Sequence, residues 1–172
     1  MGTYTEIKVS RVKDILIKFD KFLRNLNVFS FIVTILFFQF LSIILMEPIL
    51  NFLPDNNGAA PFSASDKIAI QVVFGIIIAP LYETLIYQKL IISICDKIKF
   101  LSKRKYLIVL ISGVIFGSRH TYSLQYVFHM IIVGIIWAYA YVIYKEKRKY
   151  PYWVVCTIHV LNNLIALLVL NF

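Results

Sequence analysis

The chain is short of charge, of acid and of cysteine, and each shortage narrows what it can be. Only 16% of its 172 residues are charged while 60% are hydrophobic, and the mean hydropathy is +0.78. A soluble domain carries about 25% charged and 45–50% apolar residues, so this composition argues against a water-soluble globule. Nine acidic residues face 18 Lys and Arg, a net charge of +9. Such an excess of base can signal nucleic-acid binding, but here the cations cluster between apolar blocks and not along one face. Their expected role is solvated and membrane-orienting, with no nucleic-acid partner. Cys95 and Cys156 stand in separate apolar segments with neither CxxC nor zinc-finger spacing, so both are expected as small membrane-buried side chains. The basic N-terminal stretch is too long for a cleavable signal peptide and lacks an A-x-A-like site. Glu6 stands where a myristoylation signal after Gly2 needs Ser or Thr. No internal repeat or low-complexity segment is visible.

What is present is a series of apolar blocks of roughly 20 residues, the length that spans a bilayer. The expected fold is all-α, a polytopic membrane helical bundle of about five transmembrane helices with an N-terminal amphipathic interfacial helix. Three segments divide it, residues 1–27, 28–66 and 67–172. In the first, Val12, Ile15, Leu16, Phe19, Phe22, Leu23 and Leu26 recur at helical spacing, the pattern of a helix lying on the membrane surface. The first span is the apolar run Val28 to Met46, ended by Glu47-Pro48, and a loop with turn chemistry occupies 51–66. The second runs from Lys67 to about Cys95, with a kink expected at Pro80, whose missing N–H frees carbonyls that need polar partners. The third covers Tyr106 to about Ser118, the fourth Ser123 to Tyr144, and the fifth Pro151 to Phe172.

Charge sets the topology. The N-terminal region, residues 96–105 and residues 145–149 are all net positive, the 47–66 loop is net negative, and 119–122 carries only Arg119. Strict alternation over five spans places the three basic regions on one side, so a plasma-membrane protein is expected with its N-terminus cytoplasmic and its C-terminus outside.

Four polar residues then stand out. Glu83 is a carboxylate inside a long apolar segment, and a charge in hydrocarbon without a partner costs several kcal/mol. Its candidate partners are His120, at the end of Phe116-Gly-Ser-Arg-His120, and the pair His159 and Asn163, four apart on one helix face. At 1.5 Å per residue from the cytoplasmic helix ends, Glu83 lies about 20 Å deep, His120 about 22 Å, His159 about 12 Å and Asn163 about 18 Å. Helix tilt absorbs that scatter, so the four can meet near the membrane middle. A carboxylate, two imidazoles and a carboxamide are the parts of a water-dependent hydrolase: a base, a water-orienting ring and donors for an oxyanion.

Taken together, Pro80-Leu-Tyr-Glu83-Thr-Leu-Ile-Tyr-Gln88, Phe116-x-x-x-His120 and His159-x-x-x-Asn163 resemble the CPBP family of intramembrane proteases. That family includes the eukaryotic Ras-converting CAAX endopeptidase and the bacterial Abi proteins. Its pattern is E-E-x-x-x-R, F-x-x-x-H and H-x-x-x-N on successive membrane helices, and the resemblance covers about residues 67–172. It implies that Glu83, with His120, activates water and that His159 and Asn163 form the oxyanion hole. It also implies peptide or membrane-protein substrates in a lipid bilayer, with bacterial members linked to bacteriocin or pheromone maturation and self-immunity. Either no metal is needed or a zinc ion is held by Glu83, His120 and His159. Thr84 and Gln88 replace the family's second Glu and its Arg, a charge pair turned into a neutral polar pair. That departure keeps open a catalytically degenerate member acting as a membrane immunity or binding protein. A proton-coupled transporter using Glu83 is weakened by the lack of a second intramembrane carboxylate.

The remaining polar and aromatic residues have plainer expectations. His129 packs or faces the lumen, Arg119 snorkels to the interface, and Asn162 hydrogen-bonds between helices. Trp137, Trp153, Tyr144 and Tyr152 are expected in the interfacial belt or against lipid.

Overall fold

The computed structural model of the protein describes residues 4–53 and 67–171, with side chains described from residue 11 onward. Gly2, the turn residues expected from Pro54 to Asp66, and Phe172 lie outside the described residues. Among the described residues seven helices follow in order: α1 Tyr4–Asn25, α2 Val28–Leu50, α3 Ile68–Lys97, α4 Lys99–Ser102, α5 Lys105–Ser118, α6 Leu124–Glu146 and α7 Pro151–Asn171. No strand occurs among the described residues, as expected where every backbone polar group must be satisfied within its own segment. The protein is an all-α membrane bundle.

Of the five expected spans, α2, α3, α6 and α7 are long and apolar enough to cross a bilayer. The third is shorter. α5 has 14 residues, about 21 Å at 1.5 Å per residue against a hydrocarbon core of about 30 Å. Its C-terminal end, where His120 follows, is therefore well placed to stop inside the membrane thickness. Glu47-Pro48 does not end α2, which continues through Pro48 to Leu50. Near a helix end the proline forfeits one hydrogen bond, and Asn51 N–H still closes the last turn on the Glu47 carbonyl at 3.0 Å.

Side chains cap the starts of α2 and α6 as their residue types favour. Asn27 Oδ1 accepts from Ser30 N–H at 2.9 Å, and Ser123 Oγ accepts from Tyr126 N–H at 3.1 Å. α5 and α6 approach so closely that glycine is required at the crossing. A Cβ on Gly117 would lie 2.3 Å from the Ile131 nitrogen, and one on Gly113 would lie 2.5 Å from that of Ile135. Small residues allow backbones this near in membrane bundles, and the crossing buries Phe116 completely.

The three basic segments come together at one end of the bundle. Lys145 pairs with Asp96 and Lys105 with Glu146. Arg24 bonds both Asp20 and Glu146 at 2.6 Å, and Lys147 donates to the Leu26 carbonyl at 3.2 Å. α1 divides its apolar stripe accordingly. Leu23 is buried in the bundle and Phe19 packs against it, whereas Val12, Ile15 and Leu16 stay exposed, as a surface-lying helix requires. Trp137 and Tyr144 depart from the expected lipid belt. Both are fully buried, with Tyr144 packed on Phe31 at a ring distance of 4.7 Å. An all-round apolar helix does not reveal from its sequence which face turns inward. Trp153 is exposed, and half-buried Tyr152 donates to the Leu81 carbonyl at 3.0 Å.

Candidate active site

The site is built around Pro80. On either side of it α3 widens into π-helical stretches, Gln71–Ile78 and Thr84–Leu90, in which each N–H reaches five residues back. Ala79 N–H bonds the Phe74 carbonyl in this register. The next donor would be residue 80 to the carbonyl of Gly75, but proline has no hydrogen to give. Asn163 Nδ2 supplies it instead, at 2.8 Å. Two more side chains cover α3 carbonyls, Tyr152 on Leu81 and Ser112 on Tyr87 at 2.7 Å. The polar partner expected for a carbonyl freed at Pro80 is thus present, and it is Asn163.

Glu83 follows one turn later and faces two imidazoles from two other helices. Its Oε2 lies 3.7 Å from His120 Nε2 and 3.9 Å from His159 Nε2. His120 is fixed by its other nitrogen, which donates to the Phe116 carbonyl at 2.9 Å, and its ring lies 4.7 Å from that of Phe116. His159 is buried between the Trp137 ring at 4.3 Å and Phe116 at 6.4 Å, and its Nδ1 has no partner within the protein. Glu83, His120, His159 and Asn163 all line one cavity of about 480 Å³. Tyr82, Tyr122 and Tyr126 add aromatic walls, and Ile76, Leu167 and Leu170 add apolar ones.

The supporting residues fare differently. Phe116 is the shared wall of both imidazoles. Thr84 and Gln88 are fully buried, yet Thr84 Oγ1 and both amide atoms of Gln88 have no hydrogen-bond partner within the protein. The neutral polar pair expected there is not a bonded one. Arg119, expected as a snorkeler, is exposed but lines the cavity. Half-buried His129 lies beside Tyr126, the rings tilted, and is not among the cavity residues.

Asn162 is the interhelical bonder expected of it, and its partner is a residue passed over in the first span. Gln39 Nε2 donates to Asn162 Oδ1 at 2.5 Å. The one carboxamide between Val28 and Met46 was the signal available in the sequence.

A multi-pass helical bundle with a carboxylate, two imidazoles and an amide converging on one cavity defines a membrane-embedded hydrolase-like protein. The sequence profile of the type II CAAX prenyl endopeptidase Rce1-like family matches residues 65–165, more than half of the chain, and the chain belongs to that family. No curated protein and no solved structure matches it. The family is one of membrane proteases, and membership makes this a CAAX-endopeptidase-like protein whose general setting is the lipid bilayer and peptide substrates.

Proposed function

We propose that the chain is a glutamate-dependent intramembrane endopeptidase acting on peptides or membrane-associated segments of proteins. The observation that carries this is one carboxylate oxygen, Glu83 Oε2, facing the Nε2 atoms of His120 and His159 at 3.7 and 3.9 Å inside one cavity. His120 donates through Nδ1, so its neutral ring offers a lone pair at Nε2. Two acceptors this close are both satisfied by one water, which gives a hydrogen to each and keeps its own lone pairs for the substrate carbonyl.

As the water oxygen bonds to the carbonyl carbon, one proton passes to Glu83 and the carbonyl electron pair moves onto oxygen. His159 and Asn163 are placed to hold that oxyanion. A buried N–H without a partner is rarer than an unpartnered acceptor, so the His159 ring proton belongs on Nε2, the edge toward Glu83 and the cavity. Asn163 spends one amide hydrogen on Gly75 and keeps the other. Such fixed donors act most strongly away from water. Collapse of the oxyanion breaks the C–N bond, and Glu83 returns its proton to the departing amine.

Glu83, His120 and His159 are also the set a zinc ion would use. Among the described residues no three His, Cys, Asp or Glu are gathered so as to hold a metal. The basic end of the bundle supports a cytoplasmic N-terminus with the C-terminus outside, in a plasma membrane. Maturation of peptide bacteriocins or pheromones, or self-immunity against them, fits the family's bacterial members.

Cleavage by the purified protein in lipid vesicles tests the chemistry. Glu83→Ala and His159→Ala should each slow it about 100- to 10,000-fold while the protein still accumulates in membranes, and a metal chelator should leave it unchanged. Cleavage that survives both substitutions sinks the reading. A chelator-sensitive rate restored by zinc replaces the metal-free chemistry. The unpartnered Thr84 and Gln88 favour one second reading, a non-catalytic member that binds a peptide or membrane partner. Glu83→Gln should preserve its phenotype, because shape and hydrogen bonding survive that change.

A further inference from the structure

We infer that Gln39 is a positioning residue for this site, fixing the direction of a hydrogen-bond relay that holds Asn163 with one amide hydrogen free for the cavity. The inference rests on the hydrolase reading above, and it reaches beyond residues 65–165, since Gln39 belongs to α2. The relay has four bonds. Trp137 Nε1–H donates to Gln39 Oε1 at 2.6 Å, and Gln39 Nε2 donates to Asn162 Oδ1 at 2.5 Å. Asn162 Nδ2 donates to Asn163 Oδ1 at 2.9 Å, and Asn163 Nδ2 donates to the Gly75 carbonyl at 2.8 Å.

Its two ends admit one direction. An indole N–H can only donate and a carbonyl can only accept, whereas each amide between them has one end of each kind. Turning any amide over would set donor against donor or acceptor against acceptor, and at Gln39 the mismatch would be fully buried. Gln39 joins the Trp137 donor to the asparagine pair, and both Gln39 and Trp137 are fully buried. Without Gln39 the orientation of Asn162 is no longer fixed, so Asn163 Oδ1 can lose its donor and Asn163 is held by the Gly75 bond alone, free to swing its second amide hydrogen away from the cavity. Trp137 also lies against the His159 ring at 4.3 Å, so one relay touches both oxyanion donors. The defect should appear in the chemical step and not in substrate binding.

Gln39→Leu in the whole chain should lower kcat about 10- to 100-fold, the size of loss that follows when a partner orienting a metal ligand is removed, with KM little changed. Asn162→Leu should do the same, and the double variant should be no slower than the slower single one. In Gln39→Glu, a neutral acid can accept from the indole and donate to Asn162, whereas an ionised one cannot donate. Its kcat relative to the unsubstituted protein should therefore recover at low pH and fall as pH rises. Independently of activity, the indole ¹⁵N–H resonance of Trp137, isolated in a Trp153→Phe background, should shift in Gln39→Leu. An unmoved resonance overturns the relay. A moved resonance with unchanged kcat, or multiplicative effects in the double variant, overturns the positioning role. A protein that cleaves nothing before substitution refutes the hydrolase reading and, with it, the positioning role, leaving the indole resonance to decide the relay alone.

Discussion

On one flank of Glu83, Gln39, Trp137, Asn162 and Asn163 pass four hydrogen bonds from α6 through α2 and α7 to the backbone of α3. On the other flank, one and five residues further along α3, Thr84 and Gln88 are as buried as Gln39 and Trp137 but have side-chain polar atoms with no partner within the protein. The two flanks should respond oppositely to the same change. A buried hydrogen bond contributes about 0.5–1.5 kcal/mol, and stranding one member costs about 1–3 kcal/mol. Polar side chains on the relay flank therefore stabilise, while those on the Thr84–Gln88 flank cost stability. The second flank is also where the family pattern carries Glu and Arg, which could satisfy each other. Thr and Gln at those positions do not.

The largest effect should come from the backbone beneath both flanks. Gly117→Val places a side chain where a Cβ already meets the Ile131 nitrogen at 2.3 Å, so α5 and α6 must separate. Overpacking of this kind costs about 1–3 kcal/mol, more where backbone must move. His120 follows three residues later, so cleavage and the thermal midpoint in detergent should fall together. A variant of normal midpoint and normal rate would show that the close crossing does not set the site.

Next in size is the direct contrast between flanks. Gln88→Met keeps the volume and removes both unpartnered amide atoms. It should raise stability by about 1–2 kcal/mol, an upward shift of roughly 2–8 °C in thermal midpoint for a chain of this size. Gln39→Leu should move the midpoint the other way. If both substitutions destabilise alike, Gln88 is satisfied in the bilayer and the contrast dissolves.

How much of this was visible in the sequence follows from the range of the interactions involved. Glu83 and Pro80 are legible because an acid and a proline in an apolar helix each create a local need, and His159 with Asn163 because four residues set one helix face. The gathering of the basic segments follows from loop charge alone. The relay is not legible: Gln39 and Trp137 are 98 positions apart, and neither lies in a pattern that names its partner. Trp137 and Tyr144 look lipid-facing for the same reason, since helices apolar on every side leave the inward face to packing. The short α5 could be counted, but its role as a helix ending near the site depends on where the Gly117 crossing seats it.

The smallest effect should be at the basic end, far from both flanks. Arg24 bonds Asp20 and Glu146, and Lys105 also pairs with Glu146. These side chains remain about one-quarter to one-half exposed, where an ion pair contributes about 0–1 kcal/mol and is screened by salt. Glu146→Gln should therefore shift the thermal midpoint by no more than a few degrees, by less at high ionic strength, and should leave cleavage unchanged. The same substitution leaves unchanged the Lys and Arg residues of 145–149 that are proposed to orient the chain, so the topology should not move. A large loss of cleavage in Glu146→Gln would mean that the α1 contact at the basic end reaches the site along α6, on which both Glu146 and Trp137 lie. The relay flank would then extend the full length of that helix.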